Sequence, residues 1–311
     1  MVSFSHAPVM LDEILQLAQE VRPKRLVDCT VGGAGHAQKM LERFADAQLL
    51  AIDRDPTAVA VAQERLAPYG DRVRVVHAPF AQVQALVAEH MPEGADVMLA
   101  DFGVSSHQLD VPGRGFSFRF AAPLDMRMDP SQGPSAQELL ADIDVDALTH
   151  ILRELGEERY ARRIARAIVQ HPPTTTDALS ALVRDCVPQR GPERIDPATR
   201  TFQALRMAVN DELGQIDALL RSLPDVLADN GLFVALSFHS LEDRAVKQAF
   251  VAMSRTCVCP RLLPTCCCGQ KPTLRLRPGK ALRPQESEMQ ANPRSRSTRL
   301  RAAYRVPRQK A

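Results

Sequence analysis

The chain has 311 residues, 45% of them apolar, and a formal net charge of +2. That is enough apolar material for a substantial core in one large domain or two smaller ones, and too much for a disordered chain. No apolar run approaches a membrane span. Met1 to Glu13 carry neither a basic start nor an apolar signal core, and five of the seven cysteines crowd into 257–268 rather than forming a secreted disulfide framework. The expected compartment is the cytoplasm, with no membrane partner.

In chain order, apolar residues at 11, 14, 15 and 18 predict a helix from Leu11 to Glu20. The run Leu26-Val27-Asp28 reads as a strand that gives way to Gly32-Gly33-Ala34-Gly35-His36, and a helix follows to about Phe44. Glycines let a backbone turn sharply and approach a ligand, and the next helix aims its first N–H groups into the turn. Leu49-Leu50-Ala51-Ile52-Asp53 is a second strand ending in an acid, which alone would read as a helix cap and beside the glycine loop is placed to accept hydrogen bonds from ribose hydroxyls. A helix over roughly 57–67, a strand at 73–76 closing on Phe80, a helix over about 81–90 and a strand from Asp96 to Asp101 continue the alternation.

Alternating strands and helices imply a parallel sheet covered on both faces, with ligands at the carboxyl ends of its strands. Those ends are Gly32–His36, Asp53, Phe80 and Asp101. Phe80 offers a ring for an adenine face, against the plainer alternative of core packing. His36 is placed to donate to a carboxylate, against the plainer alternatives of capping its helix or facing solvent. An NAD-binding loop fits less well, because the third glycine of Gly-x-Gly-x-x-Gly falls on Gln38.

From about 108 to 208 the rhythm disappears into Arg/aromatic segments and several helices with Pro-rich breaks at 172–173 and 188–197. Arg159, Arg162, Arg163 and Arg166 gather on one side of a helix with no interleaved acid, which suits phosphate binding. The sheet pattern returns after a long helix, Phe202 to Leu220, with a strand at Gly231–Phe238, another helix, and an edge strand at Leu300–Val306. Residues 255–311 hold 14 Lys/Arg against two Glu, a net of +12 that points to a polyanionic partner. The reading is therefore an α/β Rossmann-like core in two parts, 1–107 and 209–311, with an inserted helical module at 108–208.

Several stretches together resemble the ribosomal RNA small subunit methyltransferase H family. They are His6-Ala7-Pro8-Val9, Asp101-Phe102-Gly103-Val104-Ser105-Ser106, Arg114-Gly115-Phe116-Ser117-Phe118, Pro123-Leu124-Asp125-Met126-Arg127-Met128-Asp129, Gly156-Glu157-Glu158-Arg159, Arg200-Thr201-Phe202-Gln203, Ser237-Phe238-His239-Ser240-Leu241-Glu242-Asp243-Arg244 and Asn292-Pro293-Arg294. The resemblance implies a class I S-adenosylmethionine-dependent methyltransferase sheet, an inserted substrate-recognition domain, and methylation of a cytidine N4 amine in the decoding region of 16S rRNA. Its partner is then 16S rRNA or the small ribosomal subunit. Carried over by position, S-adenosylmethionine contacts fall on Ala34, Gly35, His36, Asp53, Phe80, Asp101 and Gln108. Ala34 stands where the family often has glycine, and alanine still permits close approach with a negative φ. His107 stands where proline is common.

N4 methylation asks for hydrogen-bond acceptors aimed at the amine, and Asp101, with Ser105 or Ser106, is the candidate, against a role for Asp101 in cofactor contact alone. Phe116, Phe118 and Phe120 are the candidates for stacking on the base. Carbon-5 methylation would require a cysteine after the fourth strand, and none lies there. Rival functions are an NAD-dependent oxidoreductase and a non-catalytic RNA-binding protein. The cysteines of Cys257-Val258-Cys259-Pro260 and Cys266-Cys267-Cys268-Gly269 have paired thiols able to hold zinc. Their Cys-x-Cys spacing is tight and no histidine is near, so free thiols are the expectation and no metal residue is assigned. Oligomeric state is not legible.

Overall fold

The structure is a computed structural model and describes residues 8–188, 196–260 and 265–308, without the side chains of residues 106 and 107. His6-Ala7, the side chains of Ser106 and His107, and most of the Pro-rich break at 188–197 lie outside those residues.

The strands are β1 (Arg25–Asp28), β2 (Gln48–Asp53), β3 (Val73–His77), β4 (Ala95–Asp101), β5 (Leu227–Ser237), β6 (Leu274–Leu276) and β7 (Arg299–Arg305). The helices among the described residues are α1 (Leu11–Val21), α2 (Gly35–Arg43), α3 (Pro56–Leu66), α4 (Val83–His90), α5 (Ser106–Asp110), α6 (Ala136–Asp142), α7 (Val145–Glu154), α8 (Ala161–Gln170), α9 (Thr176–Cys186), α10 (Ala198–Val209), α11 (Glu212–Val226), α12 (Ser240–Ser254) and α13 (Glu286–Ala291). They form two compact units: one runs to Gly103 and resumes at Leu213, and the other is Val104–Glu212.

The first unit is built on one sheet in the order β3-β2-β1-β4-β5-β7-β6. β1 to β5 are mutually parallel, and β7 is antiparallel to both of its neighbours. Successive side chains of a strand face opposite ways, so a doubly covered sheet needs apolar residues at every position. Val27, Leu50, Ile52, Met98 and Phe233 meet α4, α11 and α12 on one face, through Val87, Leu219 and Phe250. Leu26, Leu49, Ala51, Val97 and Leu99 meet α1, α2 and α3 on the other, through Ile14, Met40 and Leu66. β5 starts at Leu227, four residues before the expected Gly231, because Gly231 lets the strand continue against β4. A Cβ there would lie 2.6 Å from Ala95 O.

β6 was not anticipated. Three residues carry little pattern, and only pairing with β7 makes them a strand. β7 is tied down by charge: Arg299 and Arg301 both reach Asp243 of α12, at 2.9 and 2.7 Å, and Arg305 reaches Asp229 at 3.0 Å. The +12 segment is thus partly neutralised by its own fold rather than wholly available to a partner.

The second unit packs α6 to α10 around Leu124, Met126, Leu148, Leu152, Ile164, Ile168, Val183 and Leu205. The long helix expected from Phe202 to Leu220 is two helices, broken at Asn210–Asp211. Asn210 is buried and its amide serves the Met126–Met128 turn: Oδ1 accepts from Met128 N at 2.7 Å, and Nδ2 donates to Met126 O at 2.7 Å. Asp211 then takes a left-handed φ of 45°. An asparagine that hydrogen-bonds neighbouring backbone competes with helix continuation. Gly115 also has a structural reason, since its φ is 71° and a Cβ would lie 2.6 Å from Pro123 O.

Candidate functional site: the carboxyl ends of the first four strands

Side by side in the sheet, β3, β2, β1 and β4 end at His77, Asp53, Asp28 and Asp101. The Gly32–Gly35 turn connects β1 to α2 over these ends. Arg65 of α3 braces it, donating from Nη1 to Gly33 O at 2.8 Å and from Nε to the Gln38 side chain at 2.7 Å. Gln38, which breaks the dinucleotide pattern, is therefore part of the loop's support. Gly35 packs under Pro8, where a Cβ would meet Pro8 Cγ at 2.9 Å. Ala34 is buried with φ 59°, so the expected negative φ is not what the turn uses. The turn enters α2 through the left-handed region, which explains why glycine is comfortable at this position and alanine is strained.

Asp53 joins the loop to the second strand. Its Oδ2 accepts from Gly32 N at 2.8 Å and its Oδ1 from Asp55 N at 2.9 Å. The capping of α3 is done by Asp55, which accepts from Thr57 N at 3.0 Å, so Asp53 is not the helix cap. Phe80 is half-buried just after β3 and packs on Phe102, with ring centroids 5.8 Å apart. His36 is buried rather than solvent-facing. Its Nε2 donates to Val9 O at 2.9 Å, and Nδ1 lies 3.9 Å from Asp101 Oδ2. Burial lowers its pKa, so the ring is held neutral.

Asp101 ends β4 with its backbone N–H donating to Thr30 Oγ1 at 2.7 Å. Its Oδ1 is sealed from solvent and has no hydrogen-bond partner among the described residues. Burial, then the nearby Asp28 and Glu242 carboxyls, raise its pKa to about 8. Burial likewise raises Asp28 to about 7, against one N–H from Thr30, and Asp53 to about 6, against the N–H groups of Asp55 and Gly32. Three acids at adjacent strand ends cannot all ionise cheaply without a positive neighbour. Such a cluster favours a cation.

Asp28 and Glu242 were not singled out as site residues. Asp28 had a visible signal, an acid ending the first strand. Glu242 did not: it lies at the start of α12, is fully buried, and accepts from Phe238 N at 2.8 Å with His239 Nε2 2.8 Å from Oε1. Gln108 and Ser105 belong to the second unit. Ser105 N donates to Gln108 Oε1 at 3.0 Å, and Gln108 N donates to Ser105 Oγ at 3.2 Å. Of the three phenylalanines, Phe116 is buried, Phe118 stacks edge-on against Phe202 at 5.0 Å, and Phe120 is exposed. Arg159, Arg162, Arg163 and Arg166 are all exposed at or just before α8.

The model of the MraW methylase family matches residues 3–306. The chain belongs to the MraW methylase family. Its relatives include proteins named ribosomal RNA small subunit methyltransferase H. That of Geotalea uraniireducens (strain Rf4) is 46% identical over 98% of this chain and 100% of its own length. That of Syntrophotalea carbinolica (strain DSM 2380 / NBRC 103641 / GraBd1) is 47% identical over 97% and 98%. The methylase is an S-adenosylmethionine-dependent enzyme, and its sheet is of the Rossmann-like class I type. The rival oxidoreductase and non-catalytic readings are set aside by that membership.

Proposed function

We propose that this methylase transfers a methyl group from S-adenosylmethionine to the N4 amine of a cytidine in the decoding region of 16S rRNA, in the cytoplasm. No helix among the described residues is long and apolar enough to cross a membrane. The observation that carries the reading is Asp101: a sealed, unpartnered carboxylate oxygen beside the glycine turn, in a cluster whose acids call for a cation. The names of the relatives supply the RNA, and the resemblance supplies the nucleotide.

The residues fit such a donor. When bound, it supplies an electrophilic methyl on a cationic sulfonium. Asp53, which already accepts from the backbone N–H groups of Gly32 and Asp55, also accepts from ribose hydroxyls. Ala34, Gly35 and His36 bring backbone close at the start of α2, and Phe80 presents its ring to the adenine. Gln108 is assigned as a donor contact on the resemblance alone. Asp101 accepts hydrogen bonds from the cytosine amine, favouring a pyramidal nitrogen whose lone pair is free to attack, and holds it in line. The second unit, with Arg159, Arg162, Arg163 and Arg166, recognises the RNA backbone, and the target base must be unstacked to reach the site.

The test separates binding from chemistry. Asp53→Ala should abolish saturable S-adenosylmethionine binding measured by calorimetry. Asp101→Ala should lower methyl transfer to small-subunit RNA by at least about a hundredfold, the cost of removing one positioned polar group, while donor affinity falls far less. Equal losses in both would make Asp101 a donor contact only. Undiminished turnover would remove it from the site.

A further inference from the structure

Between α12 and β6 the chain leaves the sheet and returns, with Thr273 N donating to Met253 O at 2.8 Å where the two ends meet. Inside this excursion four thiols converge. The Sγ atoms of Cys257, Cys259, Cys266 and Cys268 all lie within 4.8 Å of one another. Cys268 Sγ is 3.9 Å from that of Cys257 and 3.6 Å from that of Cys266. A tetrahedral tetrathiolate site with zinc–sulfur bonds of about 2.3 Å has sulfur–sulfur edges of about 3.8 Å. Those two separations match such edges, the other pairs of the four lie within 4.8 Å, and the thiols are free rather than joined at the about 2.05 Å of a disulfide.

The backbone is arranged to receive thiolates. Val258 N donates to Cys268 Sγ and Cys259 N to Cys257 Sγ, each at 3.4 Å. Each Cys-x-Cys brings both of its thiols to the same side, where all four meet. The tight spacing that argued against zinc in the sequence is thus what aims the pairs at each other. We infer that Cys257, Cys259, Cys266 and Cys268 bind one zinc ion in a structural site that closes the excursion between α12 and β6. Four cysteine ligands leave no open coordination position, so the ion is structural rather than catalytic. Closing a long loop with a metal clip removes chain entropy from the unfolded state and holds the segment carrying exposed Arg255 and Lys271.

The full chain, purified without chelator or added metal, should contain about one zinc per molecule by elemental mass spectrometry. After zinc is stripped, Co²⁺ should restore thiolate charge-transfer and tetrahedral ligand-field bands. Cys257→Ser and Cys268→Ser should reduce zinc to below about a tenth of an equivalent, whereas Cys267→Ser and Cys186→Ser should retain it. Zinc below about a tenth of an equivalent in the unaltered chain, with no cobalt–thiolate bands on titration, would overturn the site. A full equivalent of iron would overturn the choice of metal. Loss of zinc in Cys267→Ser with retention in Cys268→Ser would overturn the ligand set. The cobalt titration uses the unaltered chain, so the inference stands or falls even if a variant does not fold.

Discussion

Asp28, Asp53 and Asp101 share one electrostatic problem, and it has a measurable consequence. In the unfolded chain each is an ordinary carboxyl near pH 4, whereas in the fold burial raises them to about 7, 6 and 8. A raised pKa means the folded state holds protons that the unfolded state has released. The stability this contributes is full below about pH 4 and is lost as pH rises through the folded values. The urea midpoint of the unliganded protein should therefore fall between about pH 5 and 8, and Asp101→Asn should flatten the upper end of that decline. A cationic donor reverses the balance by favouring the ionised acids. S-adenosylmethionine binding should release protons near neutral pH, read as a dependence of calorimetric heat on the ionisation enthalpy of the buffer. Heats independent of the buffer would mean that these acids do not face the donor's charge.

Among the elements, the break between α10 and α11 is the clearest case of a side chain deciding backbone geometry. Asn210→Ala would leave Met128 N and Met126 O buried without their partner, and each such group costs about 1–3 kcal/mol. Destabilisation of about 2–4 kcal/mol in urea unfolding is expected, and a loss below about 1 kcal/mol would show that the turn re-forms without it. Apolar spacing carried straight through this point, which is why one helix was expected. Period alone cannot register a residue whose hydrogen bonds go to a turn 82 positions earlier. The glycine turn behaved the other way. Its glycines and the acid ending β2 were legible, and what was hidden was the conformation of Ala34 and the brace from Arg65.

For the whole molecule, charge is spent in two ways. Arginines of the C-terminal segment pair with Asp243 and Asp229 and hold β7 in the sheet. The arginines at α8 remain exposed, with a 3.8 Å approach of Arg162 to Asp146 on a solvated surface. Such an exposed pair contributes little to folding, so these side chains are free to meet phosphate. Replacing Arg159, Arg163 and Arg166 with Ala should leave urea stability unchanged within about 0.5 kcal/mol. It should flatten the plot of log affinity for RNA against log salt by about 0.7 for each phosphate no longer neutralised. An unchanged slope would assign them elsewhere.

The order of strands and helices in the first unit, the glycine turn, and the acids and ring at the strand ends could be read from sequence, because each rests on a period or a neighbour within a few residues. The family was legible for the same reason, since its stretches are local runs of residues. Tertiary structure alone decided which acids share a field, that Glu242 reaches the neighbourhood of Asp101, that β6 is a strand, and that two tight pairs of thiols meet. Each of these depends on distance between residues far apart in the chain, and neither a Coulomb interaction nor a tetrahedron of sulfurs leaves any mark on local spacing.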